Sequence, residues 1–449
     1  MARLVRQTPR SVKPVTYLDY QATTPLAPEA AAAMRPWIED HFANPQSAHR
    51  TGREAAAAIE VARERVNTAL TTPLPEREGL GVGASEASPC SGTASPCSTK
   101  QSPAAASSHH RADPPMSAAK AASGGRSQAL IPPFPGGGSL YFTSGATEAA
   151  NWALKGAASR LPAGKRRIVT LPTEHACVLD TVAWLATQGF ETDILPVQPD
   201  GLVNLSLAAE RITPATGLVA AMLVNNEIGV IQPVAQIAAL AHAAGALFFC
   251  DAVQGFGRVP IPIEACDMIA ISAHKVHGPK GIGALWIRDG VGIDPLLHGG
   301  GQEGGLRSGT LSPALCVGFG EAARLLLERR EEDAAHVERL WSLARDVMKE
   351  WTVNGSTGHR YHGNLNLRRA DVDAARLISE LRTVAFSAGS ACASGSGRPS
   401  HVLSALGLSG QEARSSIRLG FGRNTSEEEL VEALTRIDEA AARQLGLAA

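Results

Sequence analysis

Lys275 lies in Ser272-Ala273-His274-Lys275-Val276-His277-Gly278-Pro279-Lys280-Gly281, directly after the apolar run DMIAIS. Small neighbours and a Gly-Pro turn are a poor setting for a solvated lysine. Partial desolvation lowers an ammonium pKa and makes the amine a nucleophile able to form a Schiff base. Asp251 closes a second apolar run, Ala246-Leu247-Phe248-Phe249-Cys250, and Gln254 follows one turn later. A carboxylate so placed either caps the next turn or serves as the buried anion that keeps a pyridinium nitrogen protonated. Thr143-Ser144-Gly145-Ala146-Thr147-Glu148 follows SLYF and opens a helical run. Free N–H groups and the helix dipole favour phosphate there, with the Thr147 hydroxyl as a further donor, although such a start is often only a cap. His274 and His277 have an i, i+3 spacing, but no Cys or carboxylate cluster accompanies them, so no metal is expected.

The seven cysteines are Cys90, Cys97, Cys177, Cys250, Cys266, Cys316 and Cys392. An odd count, wide scatter and apolar surroundings point to reduced thiols and a cytoplasmic protein. Cys250 and Cys266, in strand-like runs, read as buried small hydrophobes. Cys392 sits among small residues in SAGSACASGSGRPSHVL, and composition alone files it with the incidental or buried thiols.

The elements that must hold these side chains alternate from Ser139 onward. SLYFT, RIVTLP, TDILPV, GLVAAMLV, ALFFCD, DMIAIS and GALWIR read as strands, with helical stretches such as TEAANWALKGAA, CVLDTVAWLATQ and PVAQIAALAHAAG between several of them. That pattern predicts an α/β fold whose mostly parallel sheet is flanked by helices, with ligands at the carboxyl ends of the strands. Upstream, residues 51–70 predict an amphipathic helix with Ile59, Ala62, Val66 and Leu70 on one stripe. The expected organisation is an N-terminal extension (1–16), a segment joining a smaller domain (17–70), an insertion (71–138), a large domain (139–315) and a smaller C-terminal α/β domain (316–449). The 71–138 stretch is rich in Ser, Ala, Pro and Gly and is expected to be disordered; Cys90, Cys97, His109 and His110 within it read as unconstrained.

Bulk properties exclude some roles. With 449 residues, 44% hydrophobic and 19% charged, the chain exceeds the ~250–300 residues at which single cores stop growing. Lys+Arg 42 against Asp+Glu 43 leaves no basic excess for nucleic acid. No apolar run of ~18 residues predicts a membrane span. The N-terminus carries Arg and Lys without an apolar stretch, so a plain extension is expected there in preference to a secretory signal or a mitochondrial presequence.

Phosphate site, acidic partner and desolvated lysine follow one another in the chain order of a fold-type I pyridoxal-phosphate enzyme. More specifically, the chain resembles the class V aminotransferases and, within them, the NifS/IscS-like cysteine desulfurases. The resemblance runs through YLDYQATTP, FANPQSAHR, YFTSGATEAAN, TEHACVLDT, VNNEIGV, DAVQGFGRV, SAHKVHGPKGIGALW, HGGGQEGGLRSGT, FSAGSACASGSGRPSHVLSALGL and SSIRLGFGRNTSEEEL, leaving out only 71–138 and the chain ends. It implies pyridoxal 5'-phosphate joined to Lys275, Asp251 on the pyridinium nitrogen and Gln254 on the phenolic oxygen. It implies His175 stacked on the ring with a part in proton transfer, and Ala146, Thr147, Ser272 and His274 around the phosphate. Thr310 would reach the phosphate of a partner subunit, implying a homodimer. Asn226 and Arg418 would orient the substrate carboxylate, with Asn44 bordering that pocket.

The same resemblance makes Cys392 the persulfide carrier. L-cysteine would be the substrate and L-alanine the product. The sulfur would pass to an acceptor protein, an iron–sulfur scaffold or a thiolation carrier. Two departures stand out. Gly304 takes the place of an arginine usual in relatives, and the sequence stops soon after its final helical run, where some relatives extend a scaffold-docking tail. A selenocysteine lyase or a class V aminotransferase is the alternative activity; a transaminase needs no thiol nucleophile, so Cys392 argues against it. An interaction protein that kept the fold without catalysis would not need Lys275, Asp251, His175 and Cys392 together.

Overall fold

A computed structural model describes residues 15–73, 137–389 and 400–446. The insertion, save its edges, lies outside these residues, as do its Cys and His residues and Cys392. The chain opens with β1 (Thr16–Tyr17), α1 (Pro28–Glu39) and α2 (Arg50–Thr71). Proline at the start of α1 needs no N–H partner there. The His49 ring accepts the Gly52 N–H and caps α2, whose Ile59, Ala62, Val66 and Leu70 stripe is buried.

Next come β2 (Gly138–Thr143), α3 (Ala146–Ala158), β3 (Arg167–Thr170), α4 (Ala176–Thr187), β4 (Glu191–Ile194), α5 (Leu205–Arg211), β5 (Thr216–Met222), α6 (Val234–Ala243), β6 (Leu247–Asp251), β7 (Met268–Ser272) and β8 (Gly283–Arg288). The seven runs that read as strands form one sheet in the order β2-β8-β7-β6-β5-β3-β4. β8 is antiparallel to β2 and β7, and the remaining pairs are parallel. Successive residues point to opposite faces and both faces are covered. Phe248 and Trp286 join one core with α2 and α6, while Phe249 and Leu285 join the other with α3 and α4. This two-sided burial explains why β5 is apolar at nearly every position instead of alternating. In register, Asp251 lies opposite Met222 and Ala270, so β5, β6 and β7 deliver their carboxyl ends to one edge.

The chain continues through α7 (Pro313–Val347), β9 (Thr352–Val353), β10 (Asn364–Arg368), α8 (Ala374–Glu380), β11 (Val384–Ala385), β12 (Ser387–Ala388), α9 (His401–Ala405), α10 (Gly410–Arg414), β13 (Ser416–Gly420) and α11 (Glu427–Gln444). β12-β13-β10-β9 form an antiparallel sheet, covered by α11 through Leu430, Leu434 and Ile437. Two expected boundaries shift. α7 runs across the 315/316 division, with Phe319 and Ala323 in the large core and Leu340 and Ala344 in the small one. The 17–70 segment divides as well: β1 pairs with β11 and Leu18 joins the small core, whereas the stripe of α2 lies in the large core. A helix has no reason to stop where cores change, provided each half offers an apolar stripe. Among the described residues no helix is long and apolar enough to cross a membrane.

Candidate active site

Where the strand ends meet, Ala146, Thr147, His175, Asn226, Asp251, Gln254, Ser272, His274, Lys275 and Arg418 line a single cleft of about 640 Å³. Ala146 and Thr147 begin α3 directly after the β2 turn, with their N–H groups at the positive end of the helix. A Cβ on Gly283 would stand 2.9 Å from Gly145 Cα, so only glycine lets β8 approach this turn so closely. Asp251 ends β6, and Ser272 ends β7 and leads through one 3₁₀ turn to Lys275. His175 is the N-cap of α4, where its Nδ1 accepts the Cys177 N–H at 3.1 Å. Arg418 comes from β13 in the smaller sheet and is 1% exposed. It donates to Asn226 O at 3.1 Å and Asp19 Oδ1 at 2.7 Å, while its Nε has no hydrogen-bond partner among the described residues.

Burial sets the electrostatics. It pushes Lys275 down from the usual lysine value to about 8, helped by the positive charges of Arg258 and Arg418 and opposed by Asp19 and Asp251. Burial pushes the Asp251 carboxyl up, while His175, the Val253 N–H and Lys275 pull it back. His274 is held down at about 4 by burial and then by Lys275 and Lys280. Cys177 is the cysteine that lines the cleft among the described residues, and burial raises its thiol far above its ordinary value. It stays a protonated thiol at neutral pH.

Two expected site residues do not line the cleft. Asn44 and Thr310 are exposed, on loops that meet through Gln46, whose side-chain oxygen accepts the Gln302 amide at 2.5 Å. Conversely, the N-terminal YLDYQATT run contributes more than its side chains suggested. Lys275 Nζ donates to Gln21 O and to Ala22 O, the latter at 2.9 Å. Gln254 Nε2 donates to Gln21 O at 3.0 Å, and His274 Nδ1 lies 3.2 Å from Thr23 Oγ1. Arg258 was also unassigned. It donates to Gln254 Oε1 and to Lys275 O, each at 2.6 Å, and so fixes both residues. Backbone carbonyls leave no signature in a sequence, which is why the first group was missed. Arg258 lies one turn after Gln254 in DAVQGFGR, and that spacing could have found it.

The residues fit pyridoxal phosphate. A buried carboxylate at a strand end suits a protonated ring nitrogen, whose positive charge would offset the burial that now raises Asp251. A lysine near pKa 8 faces the same cleft, and a helix start with small residues offers N–H groups to a phosphate.

Residues 16–77 and 135–434 match the family model "Aminotransferase class-V"; the interruption falls in the low-complexity segment. The chain is 38% identical over 423 residues to "Cysteine desulfurase IscS" of Rickettsia bellii, covering 92% of this chain and 88% of that protein. It is also 38% identical over 431 residues to "Cysteine desulfurase, mitochondrial" of Eremothecium gossypii, covering 94% and 75% respectively. Among solved structures, a "NIFS-LIKE PROTEIN" is similar with TM-score 0.76 and 29% identity, covering 96% of this chain and 100% of that one. "SspA in complex with cysteine" is similar with TM-score 0.69 and 31% identity, covering 90% and 98%. On fold, ordered motifs and identity together, the chain belongs to the class V aminotransferase family and, within it, to the IscS/NifS-like cysteine desulfurases.

Proposed function

We infer that the chain is a pyridoxal-phosphate-dependent cysteine desulfurase that carries sulfur from L-cysteine as a persulfide on Cys392. The observation that carries the cofactor half of this reading is Lys275, held near pKa 8 in the cleft that also contains buried Asp251. Pyridoxal phosphate, when bound through Lys275, supplies a ring that stabilises negative charge at the substrate Cα. Asp251 would hold the ring nitrogen, Gln254 the phenolic oxygen, and Ala146, Thr147, Ser272 and His274 the phosphate. His175 would cover the ring, with a part in proton transfer, and Asn226 would border both ring and substrate.

The rest belongs to the chain's own side chains. A lysine near pKa 8 releases its proton at modest cost, so Lys275 serves both as nucleophile and as the group that moves the Cα proton. Arg418 would pair with the substrate carboxylate, its Nε being the spare donor. For the sulfur step a thiolate is needed. Cys177, Cys250 and Cys316 are buried with thiols pushed up, and Cys266 is fully buried. None of these four described cysteines suits that task; of the other three, Cys392 lies in the SAGSACASGSGRPSHVL run of the resemblance, whereas Cys90 and Cys97 lie in the segment the family model leaves out.

A homodimer is part of this reading. Ile38 on α1 is 66% exposed and Phe42, just after it, 97% exposed, and Gln46 further along the same loop meets Gln302 of the loop that leads to Thr310. Thr310 is exposed and does not line its own cleft, and it would serve the partner's phosphate, while Asn44 would border the substrate pocket. We further propose a cytoplasmic enzyme whose acceptor is an iron–sulfur scaffold or thiolation carrier.

Purified protein should bind pyridoxal phosphate, turn yellow and convert L-cysteine to alanine, releasing sulfide under a reducing thiol. Cys392→Ala should keep the colour and lose sulfur transfer; Lys275→Ala should lose turnover altogether. Wild-type sulfide release by Cys392→Ala would remove the persulfide step. Parallel turnover of L-selenocysteine by Cys392→Ala alone would point to the lyase instead.

A further inference from the structure

Glu227 is 1% exposed in the loop after β5, next to Asn226 of the cleft. The mechanism above does not use it, yet it bonds directly to Ser400 and, through Asn366, is linked to Gly389, the two described residues that flank 390–399 and so Cys392. On the near side, Gly389 donates its N–H to Ser416 O at 2.7 Å. A Cβ there would stand 2.8 Å from Ser416 Cβ and 2.9 Å from Leu403 Cδ1, so this close seat requires glycine. The carbonyl of Gly389 accepts Asn366 Nδ2 at 3.4 Å, and the same Nδ2 donates to Glu227 O at 3.0 Å. On the far side, Ser400 Oγ donates to the Glu227 carboxylate and accepts the Leu403 N–H at 3.0 Å. The next residue, His401, places Nε2 2.9 Å from Glu174 O, beside His175.

We propose that Glu227 is a positioning residue for sulfur transfer: its carboxylate holds Ser400 to the loop that carries Asn226, while its carbonyl shares Asn366 with Gly389 on the other flank of Cys392. This rests on the reading of Cys392 as the sulfur carrier. Cys392 is three residues from Gly389 in sequence, a tether of at most ~11 Å. Where Gly389 is held therefore bounds where the thiolate can act. In the step concerned, the Cys392 thiolate forms an S–S bond to the substrate sulfur. The Cβ–S bond breaks with its electron pair going to carbon, and carbon takes a proton to end as alanine. Ångström errors in such an approach cost up to ~100-fold in rate.

The test uses holoenzyme and single turnovers with L-cysteine. Persulfide on Cys392 is followed by mass spectrometry, and cysteine binding by the change in cofactor absorbance. Glu227→Ala and Ser400→Ala are expected to slow persulfide formation about tenfold or more, while cofactor content and the absorbance change stay as in wild type. Glu227→Gln, which keeps an acceptor for Ser400, should recover to within about twofold. Ser400→Ala deletes a single hydroxyl and carries the test if Glu227→Ala fails to fold. Equal slowing of both readouts, as a purely structural role gives, overturns the proposal, as do wild-type rates in the folded variants. Persulfide on a residue other than Cys392 would sink the underlying reading and the positioning role with it. Persulfide on Cys392 at the wild-type rate would sink the positioning role alone.

Discussion

The amine of Lys275 has its acidity set by neighbours that can be changed one at a time. Burial is the largest influence and Arg258 the next, both favouring the neutral amine. Replacing Arg258 with Met removes that positive charge. The midpoint for deprotonation should then rise from about 8 toward the ordinary lysine value, and less neutral amine is present at pH 7.5. The pH dependence of the rate at which apo-protein takes up pyridoxal phosphate measures this, and an unmoved midpoint would exclude Arg258 as a cause. His277 offers a second residue-scale prediction. It is 7% exposed, has a φ of 65°, and burial with nearby Arg423 holds it down at about 4. Between about 4 and 6.5 the unfolded chain binds a proton there that the native state does not. Stability from this residue is therefore present above pH 6.5 and lost as pH falls toward 4, by up to ~3 kcal/mol. His277→Asn, which tolerates the positive φ, should lose less stability than wild type on acidification from pH 6.5 to 4.5 in urea titrations. The buried carboxyls of Glu174, Glu227 and Asp251 are raised and act in the opposite sense, but they are common to both proteins.

At the scale of elements, the seven-stranded sheet was legible because strands buried on two faces read as short apolar runs between turn signals. The short strands β9, β11 and β12 were not, since two residues carry no periodicity. Neither was the contact that ties α2 to the sheet. Arg63 on α2 forms a two-point ion pair with Glu303 at 2.7 and 2.8 Å, both side chains being 2% exposed. The same carboxylate accepts the Phe142 N–H of β2 at 2.7 Å. Glu303 adopts a φ of 50° and Gly304 one of 65°. Gly305 follows with a φ of 82°, so glycine at 304 and 305 relieves the second and third of three successive left-handed residues. Breaking a buried pair leaves a charge uncompensated. Arg63→Met should cost ~3–5 kcal/mol in urea unfolding, and the Arg63→Met/Glu303→Gln double variant less than the single. A larger loss in the double variant would show that Glu303 acts chiefly through Phe142.

The whole molecule has exposed what a dimer would cover. If Phe42 and Ile38 lie in a subunit contact, Phe42→Glu should shift the protein toward monomer in analytical ultracentrifugation. Because Thr310 would then no longer reach a neighbour, cofactor affinity should fall in the same variant. A dimer of unchanged affinity with full cofactor would place the interface elsewhere. Chain order alone determined the residue types at the strand ends, because an apolar run must stop where the sheet meets solvent and the next residue is delivered to that edge. It therefore placed Lys275, Asp251 and the start of α3 in one family and one chemistry. Only the tertiary structure decided that Gln21 and Ala22 offer carbonyls to Lys275, and that Arg258 braces it from behind. It alone brought Glu227 onto Ser400 and, through Asn366, into line with Gly389, on the two flanks of Cys392. Such contacts join residues far apart in sequence, most of them through backbone atoms that every residue shares, so no local pattern of side chains encodes them.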